Sequence, residues 1–436
     1  MQFSSLSYNR HMIKIRFFFL QALFLLSPLI YAWFYIPGIG VDLAWIVRYV
    51  FPNISWSGFE AVKVHFFLFC VSGAFLSHLV VLLHNKKPAY LSRTFFISLG
   101  FVFFWTICSL WLNYGVNIYF AFGNPEKHHG WFFYIALFVL FFLLRSISSR
   151  ERRLLIHTSF VAFCGVVIYA FFQKIGFDPL APFYQTRLDA NRAFSTLGNP
   201  NYLAGFVLMM LPLLHETIFI HKGKNKAFWD IILWIVWGIT IYWAGSYLAW
   251  IIFVFYIFVI FLSHLVPVKK HRNIFWIYFV FIVVVTGFYF WREYGQDILN
   301  MQKMKGFIAR WYLWKTGLAA VLYDSWHFLF WYGPDWFLAV SKYFRHSMLS
   351  IYEDPAYRID RSHNVFIDFA LHFGVPALAA VLFFSIRHIR HLSHGKKVAL
   401  LLFVLYFSFN IPVLIHFLLL LQIMTSHEEK KNTTLR

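Results

Sequence analysis

Hydrophobic residues fill most of the chain in long runs, separated by short polar connections. Twelve such runs can be placed, near residues 16–36, 61–84, 93–113, 131–148, 153–173, 200–220, 228–245, 247–265, 274–292, 364–386, 397–410 and 412–425. A helix of about 20 apolar residues crosses a hydrocarbon core of roughly 30 Å and satisfies its own backbone hydrogen bonds there. The pattern therefore predicts an all-α, polytopic membrane protein with about twelve transmembrane helices in one integral domain, 1–436. Only Asn410-Ile411-Pro412 separates the last two runs; because proline there can make a tight turn or only a kink, eleven helices remain an alternative.

One long stretch interrupts this pattern. Residues 293–361 carry seven of the eighteen acidic residues. We predict a long loop, 293–363, with an amphipathic helix over about 306–323 that lies on or dips into the membrane. A turn is expected at Gly333-Pro334, before the chain re-enters the membrane.

The distribution of Lys and Arg predicts the orientation. Alternate connections hold 23 of the 38 basic residues, near 10–16, 86–93, 145–153, 222–226, 269–272, 387–397 and 430–436. Basic residues favour cytoplasmic loops, so both termini are predicted cytoplasmic and the 293–363 loop faces outward. The first run is long enough to span and lacks a small-residue cleavage site, which favours a retained helix over a signal peptide.

Composition narrows the function classes. The chain is 60% hydrophobic and 13% charged, with a mean hydropathy of +0.64, which excludes a soluble enzyme. The net charge of +20 lies in short clusters between apolar runs rather than on one face, so no nucleic-acid partner is expected. Cys70, Cys108 and Cys164 fall inside apolar runs without metal-ligand spacing, which predicts neither a disulfide nor a metal site.

The connection before the sixth run carries the first candidate chemistry. Asn199 or Asn201 can cap the helix that starts near Pro200, and Arg187 and Arg192 precede it. Exposed backbone amides at a helix start, beside arginines, form an outward-facing anion site. The same residues also fit an ordinary capped helix whose arginines reach lipid headgroups.

The long loop and its end carry the second set. Arg310 and Trp314 share a helix face at a spacing of four, and the loop closes on Asp-Arg-Ser-His-Asn at 360–364. Asp368 follows Asn364 by one helical turn, with His372 one turn further on the same face. Simpler readings exist: Arg310 extending to the interface, His363-Asn364 capping the next helix, and Asp368 packing in a polar bundle core.

Taken together, these motifs resemble the O-antigen ligase and polymerase superfamily over residues 190–380. The resemblance rests on Arg192 through Ala204, Arg310 with Trp314, Gly333-Pro334, and the 360–364 motif followed by Asp368 and Gly374. A weaker similarity lies at 123–130, a glycine-bounded charged turn. Two departures occur: Ser246-Tyr247 stands where many relatives have Ser-Arg, and the first glycine of a Gly-x-Gly-Pro turn is replaced.

The resemblance implies an architecture like that of the GT-C class of membrane glycosyltransferases, and a function. Members transfer a preassembled glycan from an undecaprenyl diphosphate donor to a lipid-anchored or growing glycan acceptor, at the outer side of the inner membrane. By this resemblance Arg192 and Arg310 would hold the diphosphate, with Arg361 as a third arginine, and His363 would take the acceptor's proton. The expected reaction is inverting and needs no metal or cofactor.

A second set of residues is expected to bind substrate or to orient the groups that do. It consists of Arg187, Asn201, Arg361, Asn364 and Asp368. We expect the long loop to be the movable half of a cleft, and the helix start near Pro200 to be its fixed half.

Three functions remain open from the sequence. A ligase would use lipid A core or another terminal acceptor, and a polymerase would use a growing chain with the same donor. A transporter or flippase is the third possibility, but it should carry charged residues through the middle of its helices, and most runs here lack them.

Overall fold

A computed structural model describes the chain over eleven ranges: 2–30, 60–84, 121–123, 127–178, 192–217, 226–265, 301–330, 332–335, 337–352, 359–389 and 392–425. Within these ranges all regular structure is helical and no strand occurs. The helices are α1 (Gln2–Leu26), α2 (Ala61–His84), α3 (Trp131–Ser146), α4 (Ser149–Lys174), α5 (Pro200–Thr217), α6 (Lys226–Ala244), α7 (Tyr247–Leu265), α8 (Met301–Val321), α9 (Ser325–Phe330), α10 (Phe337–Phe344), α11 (Leu349–Tyr352), α12 (Val365–Phe373), α13 (Val375–Ile389), α14 (His394–Phe407) and α15 (Leu414–Met424), with a 3-10 turn at Ser195–Leu197.

The all-α prediction is confirmed for the part of the chain that is described. Helices α2 and α7 have the bounds that the hydrophobic runs predict, and α8 covers most of the helix predicted in the long loop. Two helices, α2 and α4, are long and apolar enough to cross a membrane by length and composition, among the residues searched. The count of twelve spans stays a prediction, and the runs at 93–113 and 274–292 lie outside the described residues.

The run predicted as one span over 364–386 is divided into two helices. Gly374 has φ 82°, outside the helical region, and its N–H closes the end of α12 on the Ala370 carbonyl at 2.8 Å. A hydrophobicity pattern does not show this break because both sides of it are apolar. The last two runs are also separate helices: Asn410-Ile411-Pro412 lies in a non-helical connection between α14 and α15, so the proline marks a turn there.

Two apolar cores organise the described residues. The larger one joins α1 to α7 with α14 and α15, and Trp237, Phe206 and Phe407 are almost completely buried in it. The smaller core lies within the long loop, where Leu313, Phe337 and further apolar residues of 309–359 pack against α12. The described part of the loop is therefore a helical unit that packs on α12, which places the 359–364 segment between the two cores.

Gly374 provides a test of this junction. A Cβ atom there would lie 2.4 Å from the carbonyl oxygen of Leu329, and the backbone is already at a positive φ. Gly374→Ala is expected to destabilise the protein by roughly 1–3 kcal/mol. Gly306→Ala is the matched control: this α8 glycine has nothing within 4 Å of its ideal Cβ, so alanine should leave stability unchanged or raise it by up to about 1 kcal/mol. Thermal unfolding in detergent, followed by tryptophan fluorescence, measures both; equal melting temperatures would contradict the junction.

Candidate functional site

Arg192 is held at the start of α5 by contacts on two sides. Its Nε donates to the Ala244 carbonyl at 2.9 Å, and one Nη donates to the Asn201 side-chain oxygen at 3.2 Å. Asn199 caps the helix, since its side chain accepts from the Asn201 N–H at 2.8 Å. The close approach to Ala244 is possible because Gly245 has no side chain; a Cβ there would lie 3.2 Å from Arg192 Nε.

Tyr406, at the end of α14, connects this helix start to the long loop. Its hydroxyl donates to the Asn201 carbonyl at 2.8 Å and lies 3.2 Å from the Ser246 hydroxyl. Asn410 donates to the Tyr406 carbonyl at 3.2 Å, and its side-chain oxygen lies 3.5 Å from one Nη of Arg310. Arg192 is thus linked to Tyr406 through Asn201, and Arg310 through Asn410, although the two arginines come from segments more than 100 residues apart in the sequence.

Arg310 and Trp314 both meet the connection between α14 and α15. One Nη of Arg310 lies 3.5 Å from the Asn410 side-chain oxygen, and the Trp314 ring packs on Phe409 with centroids 5.0 Å apart. This shared target confirms that the two side chains occupy one face of α8. Asn410 itself donates to the Tyr406 carbonyl at 3.2 Å, so the connection is tied to α14.

Arg361 is the most enclosed charged group of the 359–364 segment, with 3% of its surface exposed. It forms an ion pair with Asp335 and lies 2.8 Å from His372 Nε2 and 3.3 Å from His129 Nδ1. Burial alone would lower the pKa of Arg361, but the Asp335 carboxylate raises it, so the guanidinium stays charged. A small cavity beside it is lined by His129, Tyr134, Arg361, Asp368, Phe369 and His372, among others.

The neighbours of His363 fix its backbone. Asn364 caps α12 by accepting from the N–H groups of Phe366 and Ile367, and its side-chain amide donates to the Ser408 carbonyl at 3.0 Å. The Asp368 carboxylate accepts from the Ser362 N–H at 2.8 Å. His363 lies between these contacts with φ 60°, a value that residues other than glycine rarely adopt.

The charges around His363 keep its imidazole neutral. Burial, followed by the charge of Arg310, lowers the pKa of His363 to about 3; Lys127 acts in the same direction and Asp360 opposes it. A neutral imidazole near the guanidinium group of Arg310 can accept a proton while an anion is bound. Among the described residues, no group of three His, Cys, Asp or Glu side chains is arranged to hold a metal ion.

Five of the eight predicted site residues meet near the end of the long loop: Arg310, Arg361, His363, Asn364 and Asp368. Arg192 and Asn201 form a second group across Tyr406. Arg187 lies outside the described residues.

Sequence reasoning missed several groups that support the site. Lys127 forms an ion pair with Asp360, and His129 and Asp335 contact Arg361. On the other side, buried Lys63 donates to the Thr196 carbonyl at 2.6 Å, beside the start of α5. The similarity at 123–130 pointed to the segment that contains Lys127 and His129. No comparable sequence signal pointed to a role for Asp335 or Lys63.

Comparison with known proteins identifies one family. Residues 231–382 match the model of the family described as O-antigen ligase. The match includes Arg310 and the whole 360–374 motif, and it starts after Arg192 and Asn201. No match to the chain was found among curated proteins or among solved structures.

The titration of His363 tests the electrostatics of the site. With a pKa of about 3, its imidazole should remain neutral from pH 8 down to about pH 4. Because the unfolded chain binds that proton near an ordinary pKa of about 6.5, folded stability should fall as the pH drops from about 6.5 towards 3. NMR of histidine-labelled protein, assigned with His363→Gln, measures the titration. Arg310→Gln should raise the midpoint, and a wild-type midpoint near 6.5 would contradict the placement.

Proposed function

We propose that the protein is a glycan ligase of the bacterial inner membrane, a proposal supported by the match of residues 231–382 to the O-antigen ligase family model. It transfers a preassembled glycan from undecaprenyl diphosphate to an acceptor sugar, such as one of the lipid A core, on the outer face. Both termini are cytoplasmic and the long loop faces outward. The observation that carries the proposal is that Arg192 and Arg310 are linked to Tyr406 through Asn201 and Asn410, together with a His363 that burial and the charge of Arg310 keep neutral.

The two arginines bind the diphosphate of the donor. When the bond between the sugar and the phosphate breaks, negative charge develops on the leaving diphosphate, and fixed guanidinium groups stabilise that charge more in the transition state than in the ground state. Arg192 is already oriented by Ala244 and Asn201, so little reorganisation is needed when the donor binds. Arg310 lies on α8 of the long loop and binds the diphosphate from the side opposite Arg192.

His363 accepts the proton of the acceptor hydroxyl. The acceptor oxygen bonds to the anomeric carbon as the bond to the diphosphate breaks, and attack from the opposite face inverts the configuration. With a pKa of about 3, His363 is a weak base in the empty site. A diphosphate bound at Arg310 offsets the positive charge that depresses this pKa, so donor binding makes His363 a stronger base.

The other predicted residues support these three. Arg361 was expected as a third arginine of the clamp; its buried contacts with Asp335, His129 and His372 favour a role in holding the 359–364 segment. Asn364 and Asp368 hold the same segment through the α12 cap and the Ser362 N–H. A contact of Arg187 with the donor remains a prediction from the sequence.

Alanine substitutions test the proposal. Arg192→Ala, Arg310→Ala and His363→Ala are each expected to lower turnover by roughly 10²–10³-fold, the usual effect of removing a group that stabilises developing charge. Lys342→Ala is the control, since this exposed lysine of α10 lies on the same loop. Purified protein in proteoliposomes, with a labelled lipid-linked glycan and an acceptor, gives the rates. Wild-type turnover in all three variants would refute the assignment.

The location and size of the glycans separate ligase from the other functions. In cells, the inactive variants should accumulate full-length lipid-linked glycan on the outer leaflet. Accumulation on the inner leaflet would indicate transport instead. Single repeat units on the acceptor, without free polymer on the carrier, would indicate a polymerase that uses the same donor.

A further inference from the structure

The segment 127–130 lies about 100 residues before the family-matched domain, yet it contacts the end of the long loop. Lys127 forms an ion pair with Asp360, and His129 Nδ1 lies 3.3 Å from an Arg361 Nη. Gly123 lies close to the same residues: if it carried a Cβ atom, that atom would lie 2.5 Å from the Asp335 carboxylate. Three contacts from this region thus converge on Asp360, Arg361 and the ion-pair partner of Arg361.

The segment is fixed to the helical bundle and not only to the loop. His129 Nε2 lies 3.1 Å from the Glu60 carboxylate, and the same carboxylate oxygen accepts from the Leu414 N–H at 2.7 Å. The His129 ring stacks on Phe133 with centroids 4.2 Å apart. Through these contacts, segment 127–130 links the end of the long loop to the N-terminal ends of α2, α3 and α15.

His363 needs such support, as do the other described non-glycine residues with a positive φ, His128, Ser195 and Asp335. A positive φ at a non-glycine residue is costly and persists only where the surroundings leave no alternative. On its C-terminal side the Asn364 cap and the contact from Asn364 to Ser408 hold the backbone. On its N-terminal side three contacts do so: the Asp368 carboxylate with the Ser362 N–H, the ion pair of Arg361 with Asp335, and the charge pair of Lys127 with Asp360.

The charge pair is enclosed. The side chains of Lys127 and Asp360 are exposed by only 10% and 14%, so water screens their attraction weakly. The attraction of Asp360 raises the pKa of Lys127 against the effect of burial, which keeps the lysine charged. Both members are thus ionised, and neither can move away without leaving a buried charge behind.

We propose that Lys127 is a positioning residue for glycan transfer: through its buried ion pair with Asp360 it holds the imidazole of His363 in line with the acceptor hydroxyl. This inference rests on the proposed function, because the effect expected of Lys127 is an effect on glycan transfer. Lys127 has no contact with Arg192 or Arg310 among the described hydrogen bonds and ion pairs. It should therefore affect the chemical step and leave donor binding unchanged.

The experiment separates turnover from binding. Lys127→Met should lower kcat by about 10–100-fold, because a displacement of about 1 Å at a reacting group has an effect of that size, while KM for the donor stays within about twofold. Lys127→Arg preserves the charge pair and should recover most of kcat. Lys342→Met is the matched control and should behave as wild type.

A second variant guards against misfolding. Lys127→Met leaves Asp360 as an unpaired buried charge, whereas Lys127→Met with Asp360→Asn removes both charges and should keep the melting temperature near that of the wild type. The double variant should still show the reduced kcat. Wild-type kcat in a folded double variant, or a parallel loss of donor binding, would overturn the positioning role.

A measurement that does not depend on turnover separates the positioning role of Lys127 from the proposed function. Modification of His363 by diethyl pyrocarbonate, followed by mass spectrometry, should change in rate in the double variant and not in Lys342→Met. If the wild-type protein transfers no glycan, the proposed function fails, and the modification rates alone then decide whether Lys127 positions His363. Equal rates in all the variants would refute the positioning role.

Discussion

A buried guanidinium group, that of Arg361, connects three parts of the chain that are distant in sequence. Its ion pair with Asp335 joins it to the long loop, His372 joins it to α12, and His129 joins it to the start of α3. Breaking one partner of such a group typically costs about 3–5 kcal/mol, because an uncompensated charge remains in a low-dielectric environment. The 359–364 segment is therefore held where the loop core, the bundle core and the 127–130 segment meet.

This constraint separates the site into parts with different tasks. Residues 359–364 carry His363 in a fixed, high-energy backbone conformation, while Arg192 is oriented independently by Ala244 and Asn201. Arg310 lies on α8, whose core belongs to the loop, and one Nη lies 3.5 Å from Asn410 in the connection after α14. The links from both arginines to Tyr406, through Asn201 and Asn410, are the physical basis of the proposed two-sided cleft.

The sequence predicted the helices well where a hydrophobic run has clear polar ends, as at 61–84 and 247–265. It did not predict the break at Gly374, because apolar residues continue on both sides and the close approach of Leu329 to Gly374 is a contact between distant parts of the chain. Arg310, His363 and Arg192 could be proposed from motifs. The ion pair of Lys127 with Asp360 could not, since 233 residues separate its members and neither belongs to a periodic pattern. The burial of Arg361 could not be predicted from the sequence either, because an arginine at this position could equally have faced a ligand.

The central claim is that Arg192 and Arg310 act on one diphosphate. A double-mutant cycle on the binding of undecaprenyl diphosphate, with Arg192→Ala, Arg310→Ala and the double variant, tests it most directly. Groups that hold the same ligand should be coupled, so the loss in the double variant should differ from the sum of the single losses by at least about 0.5 kcal/mol. Losses that add within about 0.3 kcal/mol would mean that the two arginines act independently, and would contradict the two-sided cleft.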